Sequence, residues 1–420
     1  PIIGYVGMSH LGLNYAVATA NKKFKVYCFD ENDKIIETLN KKKSPIYEKN
    51  LDLNIKKNFE KLNFTTELKK IYKCDVVFIS QDVPTNNEGK SNLKGIKKIT
   101  NLVLRYLNKK AILVILCQVP PGFCRNINWS KKQLYYQVET LIFGKALERA
   151  SSPERFIIGC YKAENKISKV YENYLKIFKC PIIKMNYESA ELAKISINIY
   201  LISAITTSNI LSEISEKVNA NWKDIIPSLQ LDKRIGRFAY LNPGLGISGG
   251  NLERDLNTLS RIQKNNKINN KLLNNLKQYS KLRKNWILNY VKKISFKYNL
   301  KTISILGLAY KEGTHSIKNS PAINLITNLK KFKLKVYDPI VKVNFKNKNI
   351  TLCRSAEDSI KNVDLLIIAT PWSIFKKINL NFLKKNNKLK IVIDPFSVLS
   401  SKKLSKKGIK QISMGIENDL

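Results

Sequence analysis

The chain has 420 residues, 44% of them hydrophobic, which is enough for sizeable cores in two or three domains and too apolar for wholesale disorder. Its formal net charge is +42, from 74 Lys and Arg against 32 Asp and Glu. The lysines are spread over the whole length among many Asn and Ile, as a coding sequence rich in A and T produces, with no zinc-finger spacing, aromatic-spaced basic repeat or basic heptads; the charge therefore does not call for nucleic acid, though it would help attract an anionic nucleotide ligand.

The first predicted strand, Ile2–Val6, runs into Gly4-Tyr5-Val6-Gly7 and then Gly12. A second, Lys25–Phe29, ends on Asp30. Strand, glycine turn, helix, strand and terminal acid is the order of a dinucleotide site. The glycines admit a pyrophosphate to a helix N-terminus, and the acid takes the ribose hydroxyls and disfavours a 2′-phosphate, which selects NAD. Ile2 stands where the first glycine of G-x-G-x-x-G would fall, so this turn taken alone also fits ordinary strand–turn–helix packing.

The alternation continues with the apolar runs Asp75–Ser80, Ala111–Cys117 and Phe156–Cys160, all of parallel-strand character and separated by helical segments. This predicts an α/β fold with a doubly wound sheet. Ligands of such sheets sit beyond the C-terminal strand ends, where Val83-Pro84-Thr85 and Val119-Pro120-Pro121-Gly122 fall.

Tyr187–Val218 is predicted as one long helix, with Leu192, Ile195, Ile199 and Ile202 at helical spacing. Glu191, Lys194 and Asn198 share another face. A lysine in an apolar helix needs a partner or a task, and an intrahelical Glu191–Lys194 pair is one solution. The apolar run Ile195–Leu211 is broken by Ser196, Asn198, Ser203 and Thr206–Asn209, which suits a buried helix better than a membrane span. After it, Pro243–Asp255 carries Gly244, Gly246, Gly249 and Gly250, then Asn251 and the charges Glu253, Arg254 and Asp255. Glycines this dense let backbone N–H groups approach a ligand. Thr302–Leu308, Val336–Pro339, Asp364–Thr370 and Lys390–Pro395 then predict a second, smaller α/β sheet. The seven cysteines are odd in number and form no C-x-x-C, and His10 and His315 are the only histidines, so buried thiols in a reducing cytoplasm and no metal site are expected. No secretory leader pattern precedes the first strand.

Taken together, these motifs resemble the UDP-glucose/GDP-mannose dehydrogenase family over nearly the whole chain. The resemblance rests on Gly4–Gly7, Pro45–Glu48, Val83–Thr85, Val119–Gly122, Val138–Gly144, the Ala190-Glu191-Leu192-x-Lys194-x-x-x-Asn198 pattern, Asp232–Gly236, the glycine loop, Gly307–Lys311, Ser320–Ala322 and Tyr337–Pro339. It implies two doubly wound Rossmann-like domains joined by a long central helix. The boundaries expected are 1–185 for NAD binding, 186–290 for the helical dimerisation part with the catalytic loop, and 291–420 for the UDP-sugar domain. It further implies NAD as cofactor, a UDP-sugar substrate, a cytoplasmic homodimer, and neither a nucleic-acid nor a membrane partner.

The residues carried over are Lys194, Asn198, Asp255, Asn251 and Glu139 for catalysis. Gly4, Val6, Gly7, Asp30, Val83, Pro84, Thr85 and Lys318 are carried over for the cofactor. Arg234, Gly244, Gly246, Gly249 and Lys311 are carried over for the substrate, with Arg234 reaching a neighbouring subunit's sugar nucleotide.

The chain departs from the family pattern at telling places. Asn251 stands for the catalytic cysteine, Gln118 for the threonine before V-P-P-G, Phe143 for the second acid after Glu139, and Lys318 for an arginine. Three functions therefore stay open: oxidation of a sugar carbinol in the family's manner, a two-electron or epimerase-like reaction without a thiohemiacetal, and non-catalytic binding of NAD and nucleotide sugar.

Overall fold

The computed structural model describes residues 1–86, 91–379 and 390–418. They fall into two compact units, Pro1–Ile197 and Asn198–Leu420.

In the first unit the strands are β1 (Ile3–Val6), β2 (Val26–Phe29), β3 (Leu62–Thr65), β4 (Val76–Ile79), β5 (Ile112–Ile115), β6 (Leu134–Gln137), β7 (Phe156–Cys160) and β8 (Ile182–Asn186). They form one sheet in the order β3-β2-β1-β4-β5-β6-β7-β8. The strand order reverses between β1 and β4, the switch point where such sheets take ligands. Runs such as Val76–Ile79 are buried on both faces, which is why they read as continuous apolar stretches.

Phe156–Cys160 departs from its expected parallel character. β7 pairs antiparallel with β6 and parallel only with β8. The chain between β6 and β7 holds only the short helix Ala146–Ser151, too little for a full crossover, so it returns in the opposite direction.

The second unit carries β9 (Thr302–Leu306), β10 (Lys333–Tyr337), β11 (Ile350–Leu352), β12 (Leu365–Ile368), β13 (Ile391–Ile393) and β14 (Lys410–Ile412), all parallel, in the order β11-β10-β9-β12-β13-β14. Leu, Ile and Val from its inner strands make a core with Trp286, Ile287 and Val291 of the helix Trp286–Lys297.

The central helix spans Tyr187–Ser215. It stops three residues before Val218 because Asn219 takes a left-handed conformation at φ 56°, and the Ala220 N–H returns to the Ser215 carbonyl at 3.1 Å. Among the described residues it is the one helix long and apolar enough to cross a membrane. Glu191, Lys194, Asn198, Asn209 and Ser212 along it are all buried polar side chains.

Candidate active site

The first glycine turn follows β1. Gly7 has φ +99°, and a Cβ there would lie 2.7 Å from the Gln81 backbone, so only glycine fits. Its N–H donates to the Phe29 carbonyl at 2.8 Å. Gly12 lets the helix His10–Asn21 press onto the turn, since a Cβ there would fall 1.8 Å from the Gly7 carbonyl oxygen. Asp30 closes the turn from β2 by accepting the Met8 N–H at 2.7 Å and the Asn32 N–H at 2.9 Å. A carboxylate has about four lone-pair positions, so this half-buried acid keeps capacity for a ligand. Gly4 and Val6 are residues of the buried strand itself. In the Val83–Thr85 loop, the Pro84 carbonyl accepts the Asn92 N–H at 2.8 Å.

Around this turn lie contacts that sequence spacing did not reveal. Glu48 accepts from His10 Nε2 at 3.0 Å, from Gly144 N at 3.1 Å and from Ala146 N at 3.2 Å. Burial pushes its carboxyl up, but these hydrogen bonds together outweigh it and leave the group below its ordinary range. The His10 ring stacks on Phe143, with centroids 4.0 Å apart. The residue standing for the family's second acid thus packs on a histidine of the pyrophosphate turn.

Lys194 pairs with Glu139 at 2.7 Å, and both side chains are nearly enclosed. Glu191, the alternative partner, is engaged elsewhere: it accepts the N–H groups of Gly122 at 2.5 Å and Cys124 at 2.8 Å. Burial raises its pKa against those same hydrogen bonds. The central helix therefore grips the Val119–Gly122 loop through Glu191 and presents Lys194 to Glu139. Gln118, at the start of that loop, is buried.

In the second unit Asn198 Nδ2 donates to Asp255, which is 1% exposed, and Arg254 Nε lies 3.4 Å from the other Asp255 oxygen. Asn251 is the exposed first residue of the helix Asn251–Asn265. The glycine loop before it is held from several sides. The Gly249 N–H donates to the Lys318 carbonyl at 3.0 Å, and Asn319 Nδ2 donates to the Gly249 carbonyl at 2.9 Å and to Glu253. The Lys318 stem lies beside Gly250. Gly246, at φ +81°, passes so close to the Ser280 carbonyl that a Cβ would lie 2.5 Å from it.

A pocket of about 390 Å³ opens on this loop, lined by Gly244, Gly246, Tyr240, Lys311, Tyr310 and Phe396 among others. Its volume lies in the range of small-ligand sites. Gly249 lies against the Tyr310 ring, where a Cβ would come within 2.9 Å. Arg234 lies outside, highly exposed and paired with Asp232 of its own segment at 2.6 Å. His315 is exposed.

A second glycine turn follows β9. Gly307, at φ +92°, donates its N–H to the Tyr337 carbonyl at 2.8 Å, and a Cβ there would lie 2.4 Å from Thr370. Asp338 occupies the place Asp30 has in the first unit. It accepts five hydrogen bonds: from Leu308 N, Ala309 N and Trp372 Nε1 on one oxygen, and from Ile340 N and Val341 N on the other. The Tyr337-Asp338-Pro339 motif was the signal for this turn, but its saturation was not visible in the motif.

A largely parallel sheet with a glycine turn and terminal acid in each unit, together with the enclosed Lys194–Glu139 and buried Asn198–Asp255 pairs one turn apart along the central helix, points to a dehydrogenase of nucleotide-linked substrates. The domain descriptions of the UDP-glucose/GDP-mannose dehydrogenase family match residues 2–177 (NAD binding domain), 188–281 (central domain) and 304–401 (UDP binding domain). The chain belongs to this family, and it is an NAD-dependent oxidoreductase of nucleotide sugars. It is 32% identical to a UDP-glucose 6-dehydrogenase of Rickettsia typhi, over 98% of this chain and 99% of that one. It is 26% identical to the UDP-glucose 6-dehydrogenase TuaD of Bacillus subtilis, over 98% and 93%. In fold it resembles a UDP-D-ManNAc dehydrogenase from Pyrococcus horikoshii, with a TM-score of 0.83 at 21% identity, covering 99% of each chain. It likewise resembles a UDP-glucose dehydrogenase from Pyrobaculum islandicum, with a TM-score of 0.81 at 21% identity, covering 93% and 96%.

Proposed function

We propose that the protein oxidises a sugar carbinol of a UDP-sugar with NAD, with UDP-glucose C6 as the first candidate, for polysaccharide precursor synthesis. The observation that carries this reading is the pair of buried couples on the central helix, Lys194 with Glu139 and Asn198 with Asp255. NAD accepts the hydride. Lys194 stabilises the developing alkoxide, its charge balanced by Glu139, while Asp255, oriented by Asn198, holds the water or hydroxyl that takes the proton. The adenosine ribose lies on Asp30 and the pyrophosphate at Gly7, with Val83–Thr85 and Lys318 completing the cofactor contacts. The nucleotide of the substrate occupies the pocket of Gly244, Gly246 and Lys311.

The chain works as three parts, 1–185, 186–290 and 291–420, in a cytosolic homodimer. The exposed Tyr200, Ile210, Leu211 and Ile214 of the central helix form the contact face, and Arg234 reaches the partner's substrate.

A specific observation favours a second reading, in which only one hydride leaves. Asn251 is exposed at a helix start and its amide is no nucleophile, so no thiohemiacetal forms there. Phe143 presents a ring in place of a second acid. NADH formed per UDP-glucose, with product mass, decides between the two. About two equivalents with a carboxylate support the full oxidation through an aldehyde hydrate. About one equivalent with an aldehyde or ketone supports the shorter reaction. No turnover on a panel of UDP-sugars, with saturable binding retained, would sink both and leave a binding protein. Asn251→Cys should raise carboxylate formation if the remaining groups suffice for the second step.

A further inference from the structure

The crossover from β5 to β6, residues 116–133, is unusually bare. These strands are parallel neighbours, and parallel neighbours are normally joined through a covering helix. The β1–β2, β4–β5 and β7–β8 crossovers carry helices of 12, 13 and 8 residues. The β5–β6 crossover carries only the three-residue 3-10 turn Cys124–Asn126. Cys124, Ile127, Phe123 and Trp129 of this crossover cover the core in place of a helix, and a pocket of about 650 Å³ lies where it enters β6.

The topology fixes where this pocket is. Ser130–Gln133 lead into β6, and Asn165–Ser168 come after β7, which runs antiparallel to β6. Both runs therefore meet at the end of the sheet opposite the Gly7 turn. The walls are tied together: Tyr135 Oη accepts the Ser168 N–H at 2.9 Å and donates to the Lys132 carbonyl at 3.0 Å. Lys131 Nζ donates to the Ile127 carbonyl at 3.3 Å and the Arg125 carbonyl at 3.5 Å and lies 5.7 Å from the centre of the Tyr161 ring.

The charged part of the lining has one sign. Lys131, Lys132 and Lys166 contribute three cations and Ser130, Asn165 and Ser168 polar groups, over a floor that includes Cys160 and Ile167, and among the described residues no acid lines the pocket. Glu164, which precedes Asn165, is exposed and is not part of the lining, and Glu188 is paired with Arg125 at 2.7 Å. The one ring in the lining, Tyr135, is 2% exposed and offers no face on which a base could stack. Convergent lysines with short hydroxyl and amide donors suit the oxygens of a multiply charged phosphate.

We propose that this pocket is a second anion site of the protein, taking the pyrophosphate group of a small molecule, free or nucleotide-borne, and reading no base. It stands independently of the reaction assigned to the other end of the sheet.

Titration calorimetry of the full chain with NAD present tests it, using inorganic pyrophosphate and, separately, ATP. Saturable pyrophosphate binding is expected, with ATP within about threefold of it, because the phosphates carry the recognition. Lys132→Glu with Lys166→Glu, both at exposed positions, should weaken pyrophosphate binding by about tenfold or more. The charge-matched pair Lys402→Glu with Lys406→Glu in the other unit should change it by less than about twofold. Absence of saturable binding, equal weakening by both pairs, or ATP binding more than about tenfold tighter than pyrophosphate would each overturn the proposal.

Discussion

The two glycine turns of this molecule are built alike and left in opposite states. In each, a glycine with φ near +95° ends the first strand and donates to the residue before an acid, and that acid reaches back to the turn's N–H groups. Asp30 takes one N–H of the turn, from Met8, and one from Asn32 on its own side, and remains half-exposed. Asp338 takes five donors and is 6% exposed. The same backbone device therefore keeps free acceptor capacity in one unit and is a saturated structural clamp in the other. Sheet topology alone does not separate the two uses; the count of donors on one carboxylate does.

The strongest way to break this comparison is Asp338→Ala. It strands five donors, most of them buried, and should cost about 3–5 kcal/mol, read as a lower urea midpoint of the full chain. Asp30→Ala should cost under about 1 kcal/mol in the same experiment.

Next come Gly7→Ala and Gly307→Ala. Each forces a side chain into a left-handed conformation and into contact with Gln81 or Thr370, at about 2–4 kcal/mol each. The losses should be similar, but only Gly7→Ala should also abolish NAD binding, as measured by fluorescence titration.

A smaller effect sharpens the ligand side. Asp30→Ala should weaken NAD about tenfold while weakening NADP less, since it removes acceptors of the ribose hydroxyls and a repulsion to the 2′-phosphate. Equal losses for both dinucleotides would mean that Asp30 is as structural as Asp338.

The smallest effect concerns pH. Glu48 is held below its ordinary pKa, so its contribution to stability is present above the unfolded value near 4.5 and is lost as pH falls through the lower folded value. Glu48→Gln should therefore flatten the stability loss of the full chain between about pH 5 and pH 3. An unchanged acid limb would show that His10, Gly144 and Ala146 do not hold this carboxylate.

Much of this was legible in the sequence for a physical reason. Gly7 and Gly307 mark backbone conformations that other residues avoid, and most inner strands announce themselves as continuous apolar runs, though the buried β6, with two tyrosines and a glutamine, does not. The edge strands did not: β11 and β14 are three residues each, and β8 carries Lys184 and Asn186. Nor did the partners that close the site. Glu191 has a lysine three residues on, yet it serves buried N–H groups some 70 positions away, because an unpaired buried donor costs more than a lysine with another acid at hand. Glu48 reaches residues 144 and 146 for the same reason, and nothing near it in sequence says so. Asn198 and Asp255 were read as site residues through the family pattern; their hydrogen bond to each other belongs to the fold.

The saturated carboxylate of Asp338 bears on traffic between ligands. NAD and a nucleotide sugar share a ribose and a pyrophosphate, and both would be drawn to a chain of this charge. An acid whose lone pairs are all taken offers nothing to a ribose diol, so the second turn gives a stray dinucleotide no foothold. Rising NAD should then fill the first unit without competing for the second, and the enzyme should tolerate excess cofactor.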